Sequence, residues 1–152
     1  MSDSAIFTDR ETLRLTKDGV FLSDGEEITH ARTVAAFHHF LGRDETGYFI
    51  RIGRDFKRIE VEDTAYFVIG VQWGSDAVGE PVELLLNDGS REKLDPDTLR
   101  FQTERLTCRV KNGREEAKFL RKPYTEILLH SLAEENGYVL HIGGKTIHLG
   151  TN

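Results

Sequence analysis

The chain has 152 residues, the size of one domain or of two very small ones. Apolar residues make up 38% and charged residues 30%, enough for a core and too polar for a membrane protein. Twenty Lys and Arg against twenty-six Asp and Glu leave a net charge of -6, which argues against a protein that packages a nucleic acid polymer. A lone Cys108 excludes an intrachain disulfide. The opening residues MSDSAIFTDR hold acids and no apolar run, so no signal peptide is expected in them, and no run approaches the roughly 18 apolar residues of a membrane span. A soluble, cytoplasmic domain is the expectation.

Residues 1–11 read as a polar tail. Leu13 and Leu15 then alternate with Arg14 and Thr16, and Asp18-Gly19 signals a hairpin turn. Val20, Phe21 and Leu22 return the strand, and Asp24-Gly25 makes another turn. A helix fits 29–41, with Thr29 as N-cap, a stripe of Val34, Phe37 and Leu41, and Gly42 as its stop. The run GYFIRIGRDFKRIEV alternates on both sides of Gly53-Arg54-Asp55, so a hairpin is predicted over 47–61.

Residues 65–73, AYFVIGVQW, form a long apolar strand, and 74–81 interrupts the pattern. VELLLNDGSREKL and LRFQTERLTCRVKNG predict two or three further strands of an antiparallel meander. A second helix fits 120–132, with Pro123 in its first turn and a stripe of Tyr124, Ile127, Leu128 and Leu132. It ends before Asn136-Gly137. GYVLHIGGKTIHL is a last hairpin, turning at Gly143-Gly144.

Two segments are alike. Gly47-Tyr48-Phe49-Ile50-Arg51-Ile52-Gly53 aligns without a gap on Gly137-Tyr138-Val139-Leu140-His141-Ile142-Gly143. A one-residue gap sets the first helix on the second, with Phe37 on Leu128 and Leu41 on Leu132. A duplicated unit is one reading; a common local grammar of helix and hairpin is the other. The expected division is 12–62 for an N-terminal α+β unit and 63–152 for a related, strand-rich C-terminal unit with one helix.

The run LRLTKDGVFLSDGEEI, the helix after it, and Arg58, Ile59, Val61, Glu62, Asp63 and Phe67 together resemble the bacterial family catalogued as domain of unknown function 1285. CRVKNGREEAKFLRKPYTEILL is similar to a later strand–turn–helix of the same family. The resemblance covers roughly 12–150. It implies an α+β fold of mostly antiparallel strands and two helices, in two related halves, the second a pleckstrin-homology-like roll. It also implies a site for a nucleotide-like ligand between the halves and a role in signalling.

Charge is unevenly spread. Segment 51–58 holds Arg51, Arg54, Lys57 and Arg58 against Asp55, and 105–122 holds seven basic residues against Glu115 and Glu116. Such segments suit a phosphate or carboxylate ligand, Arg above all for bidentate contact. Solvated strand faces are the plainer reading. Glu62-Asp63 can serve as a carboxylate pair, or as a strand end with a turn cap. Trp73 can stack on a base or anchor the core. The candidate ligand residues are therefore Arg51, Arg54, Lys57, Arg58, Glu62, Asp63 and Trp73.

The six histidines lack zinc spacing, and His141 with His148 across the last hairpin is the best pair. No P-loop, nucleophile elbow or dinucleotide fingerprint is present, and Gly143-Gly144-Lys145-Thr146 imitates only the end of a P-loop. No catalytic residue, metal or cofactor is assigned, and the reading leans away from an enzyme. A small regulatory module for an anionic, nucleotide-like ligand is expected. The alternative is a protein-interaction module, acting as a homodimer or through a strand edge.

Overall fold

Alternation and turn residues dictate the first sheet. The computed structural model describes residues 7, 10–74, 82–135, 137–142 and 145–149. Most of the expected tail and of the 74–81 interruption, Asn136 and the Gly143-Gly144 turn lie outside them. The chain divides into two units, Met1–Ala65 and Tyr66–Asn152.

The first unit runs β1 (Leu13–Leu15), β2 (Phe21–Ser23), β3 (Glu26–Glu27), α1 (Ala31–His39), β4 (Leu41–Arg43), β5 (Tyr48–Ile52) and β6 (Asp55–Val61). The turn between β2 and β3 takes positive φ at both Asp24 and Gly25, the backbone that matches strand twist in a two-residue hairpin. The sheet order is β3-β2-β1-β6-β5-β4. Two antiparallel meanders join where β1 lies parallel to β6, with Leu13 beside Ile59 and Leu15 beside Val61. Leu13, Leu15, Phe21, Phe37, Leu41, Ile50 and Ile59 are buried. Phe37 of α1 meets Phe21 edge-on at 5.4 Å.

The first helix is shorter than expected at both ends. His30, not Thr29, is the N-cap, its ring accepting from the Thr33 N–H. Phe40 closes the helix by donating to the Ala36 carbonyl, and Leu41 already begins β4. Gly42 is therefore no helix stop. It stands opposite Phe49 on β5, and a Cβ there would come 2.9 Å from the end of the Phe49 ring. The glycine leaves room for that ring to lie across β4.

The second unit runs β7 (Tyr66–Gln72), β8 (Glu83–Leu86), β9 (Arg91–Lys93), a 3-10 turn at Pro96–Thr98, β10 (Arg100–Gln102), β11 (Arg105–Val110) and β12 (Glu115–Phe119). α2 (Arg121–Leu129), β13 (Leu132–Glu134), β14 (Gly137–Ile142) and β15 (Lys145–His148) follow. Its larger sheet has the order β10-β11-β12-β7-β8-β9, again with one parallel junction, β12 on β7. A core of Val68, Leu84, Leu86, Leu106, Cys108, Ala117, Phe119, Ile127 and Leu140 lies behind it. β13, β14 and β15 form a separate antiparallel sheet.

The α+β class, the two helices and the related halves are as expected. The repeat itself is drawn differently. Strands β7–β12 reproduce the pairing order of β1–β6, the 3-10 turn standing where α1 stands. The alignment read from sequence belongs to a smaller module, a helix followed by a three-strand meander, at 31–61 and again at 121–148. The two nine-residue helices correspond without the expected gap, so buried Phe37 matches buried Ile127 rather than Leu128. α2 ends at Leu129, and Leu132, expected on its apolar stripe, is 57% exposed on β13.

Because Phe37 fills the space between α1 and the sheet, Phe37→Ala is expected to cost about 3–5 kcal/mol. Leu129→Ala, at a position 78% exposed, is expected to stay within about 0.5 kcal/mol. Urea unfolding of the two variants beside the parent checks this.

Candidate functional site

The β5–β6 hairpin carries a Phe-x-Arg pattern on each strand, Phe49-Ile50-Arg51 and Phe56-Lys57-Arg58. Its antiparallel register sets Phe49 opposite Arg58 and Arg51 opposite Phe56. Since side chains alternate along a strand, all four point to one face. Ile50 and Ile59 point to the other and are buried. The Phe49 and Phe56 rings stack at 5.3 Å with 27° between their planes. The Arg51 guanidinium lies 4.7 Å from the Phe56 centroid and 5.9 Å from that of Phe49. That of Arg58 lies 5.1 Å and 5.7 Å from the same rings. Each cation thus faces the electron-rich side of the pair.

The two arginines differ in their partners. Arg58 reaches Asp44 through two bonds of 2.7 and 2.8 Å, and also donates to the Gly47 carbonyl. Asp44 sits in the β4–β5 turn, where Oδ1 also accepts from the Thr46 and Gly47 N–H groups. The bond from Arg58 is the chief cause that holds the Asp44 carboxyl down at about 2; desolvation opposes it, and the Thr46 and Gly47 N–H groups add to the lowering. Arg51 has no carboxylate partner among the described residues. Its charge remains available beside Phe56, which is 38% exposed.

The other candidates fall in different places. Arg54 is exposed at the turn that closes the hairpin. Lys57 points to the opposite face from Phe56 and Arg58. With Glu11, Thr12, Leu13, Arg58, Ile59 and Glu60 it lines a shallow 290 Å³ groove beside β1. Glu62 accepts from the Lys17 N–H at 2.9 Å and meets Arg14 at 3.4 Å, so it fastens the turn after β1. Asp63 follows it, past the end of β6. Trp73 belongs to the second unit, packs against that unit's core and stacks on His130 at 3.7 Å.

The second basic segment is largely engaged within its own unit. Arg105 pairs with Glu116, and Arg109 donates to the Gly113 carbonyl. Lys111 binds Asp88 at 2.6 Å and Ser90 at 3.0 Å, over the Tyr66 ring. Burial alone pushes the Asp88 carboxyl up, but the bonds from Lys111 and Ser90 outweigh it and hold the group below its ordinary value. Cys108 is buried, and burial, with carboxylates at Glu92, Glu116 and Asp95, pushes its thiol up to about 12. His141 is hydrogen-bonded to Thr146, and among the described residues no three His, Cys, Asp or Glu side chains group to hold a metal ion. Among the described residues no helix is long and apolar enough to cross a membrane.

Sequence reasoning found Arg51 and Arg58 from their charge but missed Phe49, Phe56, Gly42 and Asp44. The repeated Phe-x-Arg triplet was the available signal for the two rings. Asp44 gave none, because it reaches Arg58 only once the meander has formed.

Neither a family model nor a curated protein matches the chain. Similar solved structures include a DUF1285 family protein from Silicibacter pomeroyi DSS-3. It has a TM-score of 0.69 and 17% identity, over 91% of this chain and 79% of that one. A second DUF1285 family protein, from Shewanella baltica OS155, has a TM-score of 0.59 and 14% identity, over 80% of this chain and 94% of that one. The chain resembles DUF1285 family proteins in fold, as the sequence led one to expect.

The ion pair predicts a titration. The Asp44 carboxyl is depressed in the folded protein, so its contribution is fully present above the ordinary value of 3.8 and is lost as pH falls through about 2. A carbon-detected NMR titration of Asp44 is expected to give a midpoint near 2. In Arg58→Ala that midpoint is expected to rise towards 3.8.

Proposed function

We propose that the protein is a small non-catalytic ligand-binding or regulatory module, and that it takes an anionic, nucleotide-like ligand on the β5–β6 face of the first unit. The observation that carries this is Arg51, lying over the exposed Phe56 ring with no carboxylate partner among the described residues. A base stacked on an aromatic ring gains about 1–3 kcal/mol. A phosphate suits the planar fork of Arg51, with Arg54 at the same end of the hairpin. Arg58 is occupied by Asp44 and serves to hold the ring pair in place. The face is open, so micromolar to millimolar affinity is expected rather than the tight binding of an enclosed pocket. A net charge of -6 disfavours a polyanion over a small anion. Lys57, Glu62, Asp63 and Trp73 have no direct contact with the ligand in this reading.

A thermal-shift series with GMP, cyclic dinucleotides and inorganic phosphate tests it. A ligand at 100 times its Kd adds about 2.7 kcal/mol of stability. GMP or a cyclic dinucleotide is expected to raise the Tm more than phosphate does. Arg51→Ala and Phe56→Ala are each expected to remove the shift while remaining folded. No shift with any of these anions, or a shift that survives both substitutions, overturns the proposal.

A further inference from the structure

A second surface, in the other unit, has different chemistry. β13 is an edge strand, and all three of its residues, Leu132, Ala133 and Glu134, are exposed. Natural edges are commonly blunted by short length, charge, proline or a bulge; this three-residue edge carries Glu134 but no lysine, proline or bulge. Leu132 and Tyr138 are 57% and 50% exposed, and strongly exposed Leu129 precedes them at the end of α2. The register pairs Leu132 with Val139 and Glu134 with Gly137, so Leu132 and Glu134 share one face of the sheet. Glu134, Glu135, Gly137, Tyr138, Val139 and His148 line a cavity of 470 Å³ at the Glu134 end of the strand. Neither Glu134 nor Glu135 has an ion-pair partner among the described residues.

We infer that the free edge of β13 docks an extended peptide of another protein by strand addition. Its recognition sequence is an apolar residue with a Lys or Arg two positions away, after it in a parallel strand and before it in an antiparallel one. The spacing follows from alternation: a strand laid beside β13 in either direction places one side chain next to Leu132 and another, two residues away, next to Glu134. The apolar side chain covers Leu132, and the cation enters the cavity between Glu134 and Glu135. Charge selects this occupant over a second copy of the chain. Self-pairing along β13 brings four carboxylates to one seam, whereas a basic peptide neutralises two.

The test uses the full chain and a fluorescein-labelled nine-residue peptide of threonines, with a central valine and a lysine two residues away on each side, which fits either strand direction. Anisotropy is expected to give saturable binding that weakens with salt. Binding is expected to fall at least tenfold for a peptide with glutamate in place of both lysines. The same loss is expected for E134K/E135K and for Leu132→Ser, whose altered residues are all exposed, with circular dichroism confirming the fold. Arg51→Ala, in the first unit, is expected to bind the peptide normally, which separates this proposal from the nucleotide reading. Absence of binding, equal binding of the two peptides, or full binding by E134K/E135K overturns it. So does a concentration-dependent dimer in sedimentation velocity that Leu132→Ser abolishes, since a second copy then occupies the edge.

Discussion

The first unit depends on the parallel ladder between β1 and β6. Leu13 against Ile59 and Leu15 against Val61 join two three-strand meanders into one six-strand sheet. The ladder uses the C-terminal part of β6. The N-terminal part is left to pair with β5, through Phe49 opposite Arg58 and Arg51 opposite Phe56. Burial of Ile59 fixes which side of β6 faces the core, and alternation then fixes Phe56 and Arg58 on the outside. The Phe–Arg face is a consequence of the ladder that builds the core. The second unit repeats the device with β12 on β7, but its hairpins carry a different outer surface.

What the sequence made legible follows from the range of the interactions involved. The β5–β6 hairpin was readable because alternation on either side of Gly53 is local, and so was the strand at Tyr66–Gln72. The ends of α1 were not. Thr29 looked like a cap and Gly42 like a stop by their types. The His30 ring took the first role, and the second vanished because Gly42 lies under Phe49. β12 was missed because Glu115, Glu116 and Lys118 hide its period, and its partner β7 is some fifty residues upstream. The larger repeat was hidden for a similar reason. Strand order is conserved between β1–β6 and β7–β12, but residue identity is not, whereas the smaller helix–meander module happens to retain Gly-Tyr at 47–48 and 137–138.

The site was half legible. Net basic charge flagged four residues in 51–58. Charge alone could not separate the cation held by Asp44 from the one left beside Phe56, nor from Lys57 on the other face. That distinction rests on a turn carboxylate fourteen residues from Arg58. The second basic segment shows the same limit of composition. Its density of cations suggested a binding face, yet Lys111 is drawn into Asp88 and Ser90, and Arg105 into Glu116.

The central claim is that the Phe49–Phe56 pair and Arg51 form a surface for an aromatic anion. Its most direct measurement is a ¹H–¹³C aromatic and ¹H–¹⁵N spectrum of the labelled chain during a titration with GMP. The account predicts saturable ring-current shifts at the Phe49 and Phe56 rings and at the Arg51 side-chain Nε–H, with Trp73 and the amides of β13 unmoved. Rings that stay still while the nucleotide saturates elsewhere, or that do not respond at any concentration, contradict it.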